Sequence, residues 1–126
     1  MIEQSIKNEI LQFIKYRKDI ILYPIKNTGT ARMDKRTGRM YYTRGMVMRG
    51  VADFLGMLIP SGRFIAVEVK TTQGLKRFIR ERVKPYTTEF YENEWGHGVE
   101  NCGGIYLVVD SVEMLEKNLS HSEEKK

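Results

Sequence analysis

Apolar residues recur at helical spacing along the first eighteen positions of the chain. Ile2, Ile6 and Ile10 share one face, which predicts an amphipathic helix over residues 2–18. The segment 20–25 that follows is rich in β-branched and aromatic residues, and its Pro24 is typical of a strand end or an edge strand.

Two further apolar segments, 52–59 and 64–72, are separated by the turn residues 60–63 and predict an antiparallel hairpin. A turn centred on Ser61 and Gly62 places Asp53 near Lys70 across the hairpin.

The C-terminal half predicts two more helices and one more strand. Residues 75–95 have a helical pattern that Pro85 interrupts, and 97–104 have the composition of a loop. A buried strand over 105–111 precedes a helix over 111–119 with Ser111 as its N-cap. The resulting order, αβββαβα around a basic hairpin or loop, predicts an α/β fold with a mixed sheet of four or five strands.

The length of 126 residues indicates one domain, 1–119, followed by a polar tail over 120–126 that is expected to be disordered. The sequence contains no run long enough for a membrane span, and its single cysteine cannot form an internal disulfide. These features favour a cytoplasmic protein. The net charge of +5 is compatible with a polyanionic partner, although many small proteins carry such a surplus by chance.

Basic residues cluster between residues 27 and 50, with Tyr41 and Tyr42 interleaved. Such a pattern suits DNA, because cations contact phosphates and aromatic rings stack on bases; a solvated loop is the alternative. The candidate nucleic-acid residues are Asn27, Arg32, Lys35, Arg36, Arg39, Arg44 and Arg49.

Ionisable residues also interrupt the apolar strand 64–72. Strand alternation places Glu68 and Lys70 on one face, and Asp53 begins the neighbouring strand. Carboxylates are preferred ligands of Mg²⁺ and Mn²⁺, the backbone carbonyl of Val69 is a further oxygen ligand, and a lysine can orient a nucleophilic water. A surface salt bridge between Glu68 and Lys70 is the alternative interpretation.

The motifs GVADFLG (50–56) and GRFIAVEVKT (62–71) are accompanied by NTG at 27–29 and by Gly103-Gly104 before a strand. This ordered set resembles the virus-type replication-repair nuclease (VRR-Nuc) domains of the PD-(D/E)xK superfamily, with Ala52 where Pro is usual. The family usually has a Gln on the helix after E-x-K-T, and here Glu89 stands in its place.

The resemblance implies a restriction-endonuclease-like core and a stand-alone, phage-type nuclease dependent on Mg²⁺ or Mn²⁺. It implies catalytic Asp53, Glu68 and Lys70, with metal at Asp53, Glu68 and Val69. An acid of the first helix assists; Glu3, which lies near the apolar stripe, is favoured over Glu9.

The leading expectation is therefore a DNA endonuclease that leaves 5′-phosphates, acting on duplex DNA or on branched DNA such as four-way junctions. A homodimer with two sites fits such a substrate. Two other hypotheses stay open: a non-catalytic DNA-binding module that retains the fold, and a structural subunit without DNA affinity.

Overall fold

The computed structural model describes residues 2–25, 31–42 and 50–124. Within these ranges the chain forms four helices and six strands, and none of the helices is both long enough and apolar enough to cross a membrane. In chain order the elements are α1 (Glu3–Ile14), β1 (Ile20–Pro24), β2 (Ala31–Met33), β3 (Met40–Tyr42), β4 (Phe54–Leu58), β5 (Phe64–Val69), α2 (Thr72–Glu81), α3 (Thr88–Asn101), β6 (Ile105–Val109) and α4 (Val112–Glu124).

The main sheet has four strands in the order β1-β4-β5-β6. The pairs β1/β4 and β4/β5 are antiparallel, whereas β5 and β6 are parallel. A parallel pair needs a crossover connection, and α2 and α3 provide it. The fold is therefore α/β with a mixed four-stranded sheet, as the sequence pattern predicts.

The alternating residues of β5 divide the apolar interior into two clusters, one on each face of the sheet. Ile65 and Val67 face α1 and α4 in the larger cluster, whereas Ala66 faces α3 in the smaller one. Since β5 is central and covered on both faces, nearly all of its residues are buried. Any charged group on β5 consequently lies inside the protein.

The hairpin of β4 and β5 forms as predicted, but its register differs by two residues. Phe54 pairs with Val67, and continuing this register places Asp53 opposite Glu68 instead of Lys70. The predicted centre of the turn was one residue too late along the chain. Because side chains alternate with period two, a shift of two residues leaves every side chain on its predicted face.

Several element boundaries differ from the sequence-based prediction. Helix α1 ends at Ile14 and not at residue 18. Pro85 was expected to break or kink the helical segment 75–95, and the structure shows a break, with α2 before it and α3 after it. Residues 97–101 belong to α3, so the predicted loop there was wrong. Helix α4 begins as predicted with Ser111 as its cap, and it continues over 120–124 into the expected tail.

Strands β2 and β3 form a separate two-stranded ribbon. Arg32 pairs with Tyr41, and Met33 pairs with Met40, so these two pairs lie on opposite faces of the ribbon. All four side chains are exposed. Both faces of the ribbon are therefore accessible to a partner.

Helix α3 approaches the sheet closely because it has glycine at position 96. A Cβ atom there would lie 2.4 Å from the ring of Tyr106 on β6. At a second glycine of the same helix, Gly98, a Cβ would meet no atom outside its own helical turn within 4 Å in the described part of the chain. The two positions therefore form a matched pair for testing how closely α3 packs.

We expect Gly96→Ala to lower the free energy of unfolding by about 1–3 kcal/mol, because the added methyl overpacks the Tyr106 ring. Gly98→Ala should raise it by about 0.5–1 kcal/mol, because alanine favours the helix and meets no neighbour. Urea denaturation of both variants measures the difference. Equal effects of the two substitutions would contradict the close packing of α3.

Candidate active site

Side chains from two neighbouring strands meet at one end of the sheet. Asp53 lies just before β4, and its Oδ2 accepts a hydrogen bond of 2.8 Å from the backbone N–H of Val69 on β5. Glu68 and Lys70 flank Val69, with 3.9 Å between Lys70 Nζ and Glu68 Oε1. The three residues singled out by their sequence pattern are therefore neighbours in the structure.

Glu68 is a buried acid near the end of the central strand β5, with 6% of its surface exposed. Burial raises the pKa of Glu68 to about 11, and the negative charges of Asp53 and Glu92 contribute to the shift. Its Oε2 is buried and has no hydrogen-bond partner within the part of the chain that the structure describes. A proton or a cation is needed here to compensate the carboxylate charge.

Lys70 is held by an acid on α3. Its Nζ donates to both carboxylate oxygens of Glu92 at 2.9 Å each, and Glu92 is as buried as Glu68. Burial lowers the pKa of Lys70, but the hydrogen bond and charge of Glu92, with the charges of Glu68 and Glu3, outweigh it and raise that pKa. Lys70 therefore carries its positive charge at neutral pH.

Helix α1 contributes a second lysine and the predicted helix acid. Lys7 Nζ lies 3.1 Å from Asp53 Oδ1. Glu3, one turn before Lys7, is the α1 acid whose charge contributes to the raised pKa of Lys70; Glu9 is not among the contributors. Of the two alternatives, the charge that acts on Lys70 therefore favours Glu3.

Two carboxylates lie close enough together to be considered as ligands of one divalent cation. Asp53 is oriented by the Val69 N–H and also pairs with Lys7, and Glu68 presents an unpartnered oxygen among the described residues. Glu92 is occupied by Lys70, and no group of three or more His, Cys, Asp or Glu side chains has metal-binding geometry in the described ranges. A site here would thus rest on Asp53, Glu68 and the Val69 carbonyl.

The predicted nucleic-acid residues divide into two groups. Arg32, Lys35, Arg36 and Arg39 lie on the β2–β3 ribbon or its turn, and all are exposed. Asn27, Arg44 and Arg49 lie outside the described residues. Of the described candidates, none has a hydrogen bond or ion pair to Asp53, Glu68 or Lys70, so the ribbon and the acidic cluster are separate features.

Sequence reasoning missed Lys7, Glu92 and Tyr106. Lys7 occurs one helical turn after Glu3, and this spacing could have placed it at the same site. Glu92 lies one turn further along α3 than Glu89, the residue that the motif resemblance places at the usual Gln position. The Tyr106 hydroxyl is buried without a described partner, and burial, followed by the charge of Glu68, raises its pKa. Only the packing of α3 on β6 reveals the last two residues.

Comparisons with known proteins add no relatives. A scan against protein-family models, a search of curated proteins and a search of solved structures each found no match.

We expect Glu68→Gln to stabilise the metal-free protein, because it removes a buried carboxyl that the folded state must keep protonated. Above pH 4.5 the unfolded chain ionises this group while the folded chain does not, so wild-type stability declines relative to the variant as pH rises. The expected gain at pH 8 is about 1–3 kcal/mol, and each kcal/mol raises Tm by roughly 3–5 °C for a domain of this size.

Thermal unfolding in EDTA at pH 4 and pH 8 measures the effect. The exposed Glu116→Gln of α4 is the control, and it should leave Tm unchanged at both pH values. A Glu68→Gln protein that is less stable than wild type at pH 8 would contradict the assignment of an uncompensated acid.

Proposed function

We propose that the chain is a metal-dependent DNA endonuclease with a restriction-endonuclease-like core, of the VRR-Nuc type. The observation that carries the proposal is the meeting of Asp53, Glu68 and Lys70 around Val69. These acids lie on adjacent strands and the lysine follows directly after β5, in the arrangement that the motif resemblance implies.

A Mg²⁺ or Mn²⁺ ion held by Asp53, Glu68 and the Val69 carbonyl would polarise the scissile phosphodiester and lower the pKa of water. Lys70 orients the attacking water and offsets charge on the phosphate. Because its pKa is raised, Lys70 acts as a hydrogen-bond donor and not as the base. Glu3 assists from α1, and the product carries a 5′-phosphate.

The exposed ribbon supplies the substrate contact in this proposal. The major groove of DNA admits a two-stranded ribbon, and the cations Arg32, Lys35, Arg36 and Arg39 suit its phosphates. Branched DNA such as a four-way junction, cut in the cytoplasm by a homodimer with two sites, is the substrate that the motif resemblance favours.

A non-catalytic DNA-binding module is the second candidate, and the ion pairs of the site favour it. Lys7 neutralises Asp53, and Lys70 neutralises Glu92, so part of the acidic cluster is compensated without a metal. Calorimetric titration with Mg²⁺ separates the candidates. The nuclease requires binding that Asp53→Asn abolishes, whereas the binding module retains DNA affinity with no metal uptake.

We expect Asp53→Asn and Lys70→Met each to reduce Mg²⁺-dependent cleavage of plasmid and junction DNA by at least about 100-fold, since each removes a group that acts on the reacting phosphate. The exposed α4 variants Glu116→Gln and Lys117→Met are charge-matched controls and should cleave like wild type. Cleavage that survives Asp53→Asn would refute the proposed site.

Replacing Arg36 and Arg39 together by Gln should weaken binding to duplex DNA and reduce the slope of log K against log salt by about 1–2, because each phosphate contact releases counterions. Fluorescence anisotropy in EDTA, where cleavage is prevented, gives the slope. The control is Lys18→Gln with Lys117→Gln, which removes the same charge away from the ribbon. Equal slopes in the two double variants would exclude the ribbon as the DNA contact.

A further inference from the structure

Among the described residues, Glu92 forms the shortest ion pair with the Lys70 ammonium. Both carboxylate oxygens accept hydrogen bonds of 2.9 Å from Lys70 Nζ, whereas the nearer oxygen of Glu68 lies 3.9 Å away. The side chains of Lys70 and Glu92 are 13% and 8% exposed, so water screens this pair weakly. The direction of the lysine is thus set by the acid of α3.

Two glycines fix the backbone that carries Glu92. At Gly96 a Cβ would lie 2.4 Å from the Tyr106 ring, which brings α3 directly onto β6. At Gly50, with φ of +91°, a Cβ would lie 2.7 Å from the carbonyl oxygen of Tyr91. Gly50 belongs to the segment leading to Asp53, so α3 touches both sides of the site.

A lysine side chain needs such an anchor. Its four-carbon stem carries about 2 kcal/mol of rotamer entropy, and its ammonium has no fixed fork geometry. A buried carboxylate that accepts through both oxygens restricts the ammonium to one place beside Glu68. Glu3 also acts on the Lys70 charge but is itself exposed, so it restrains the lysine less.

We propose that Glu92 is the positioning residue for Lys70: it holds the ammonium where it orients the attacking water, without touching DNA or metal itself. This inference rests on the proposed nuclease function. It differs from a purely structural role, in which the pair would only stabilise the fold and a folded variant would cleave normally.

The test compares Glu92→Gln with Glu94→Gln, an exposed acid of the same helix. Glutamine has nearly the same shape but cannot offer two anionic oxygens to Lys70. Single-turnover cleavage with Mg²⁺ should be about 10–100-fold slower in Glu92→Gln, which is typical when a supporting hydrogen-bond partner is removed. The KM for DNA should stay unchanged, and Glu94→Gln should match wild type.

The double variant Lys70→Met/Glu92→Gln tests whether Glu92 affects the cleavage rate through Lys70. If Glu92 acts through Lys70, the double variant cleaves DNA no more slowly than the single variant Lys70→Met. A further loss in that background overturns the inference, and so does a raised KM with an unchanged maximal rate. Glu92→Gln that cleaves like Glu94→Gln overturns it as well.

Folding is checked by the thermal melt of each variant. If Glu92→Gln melts below the assay temperature, Glu92→Asp decides, because it keeps the charge but is one methylene shorter. A reduced maximal rate with unchanged KM supports the inference, and wild-type behaviour overturns it. Wild-type protein without Mg²⁺-dependent cleavage would instead refute the proposed function, which distinguishes the two failures.

Discussion

A carboxyl group in the central strand of a small sheet has to be compensated, because a buried charge without a partner is strongly unfavourable. Glu68 is such a group. Its strand, β5, is covered on both faces of the sheet, and its carboxyl lies beside two other acids, Asp53 and Glu92. The nearby lysines pair with these neighbouring acids, which leaves the Glu68 carboxyl itself to a proton or a cation. Lys70, which follows directly after β5, pairs with Glu92. Lys7 of α1 pairs with Asp53.

Helix α3 supplies Glu92, the acid that pairs with Lys70. A helix can place a carboxylate above a strand only if its backbone comes close, and the missing side chain at position 96 permits that approach over Tyr106. The small residues Ala52 and Ala66 belong to the apolar cluster beneath the helix. The α3 face of the sheet therefore has small apolar side chains, and the closely packed helix places the buried acid Glu92 over it.

A feature of the site could be predicted from the sequence only where it depends on residues that are close together along the chain. Alternation along β5 is local, so the shared face of Glu68 and Lys70 was predicted correctly, and the error in register was harmless because it spanned two residues. The pairing of Asp53 with that face depends only on one hairpin and was also predicted. Glu92 was not found, because its direction depends on how α3 docks on the sheet, and that docking depends on the contact of Gly96 with the Tyr106 ring on β6. No pattern within one helix encodes that contact.

The chain has one tryptophan, Trp95, and it lies on α3 one turn from Glu92. Its indole packs edge-on against Tyr106, with 6.0 Å between the ring centroids, beneath the same helix that carries the acid. Any movement of α3 relative to β6 alters the surroundings of that indole. The protein thus contains its own optical reporter: intrinsic fluorescence, read without a label, follows the docking of this helix as ions or DNA are added.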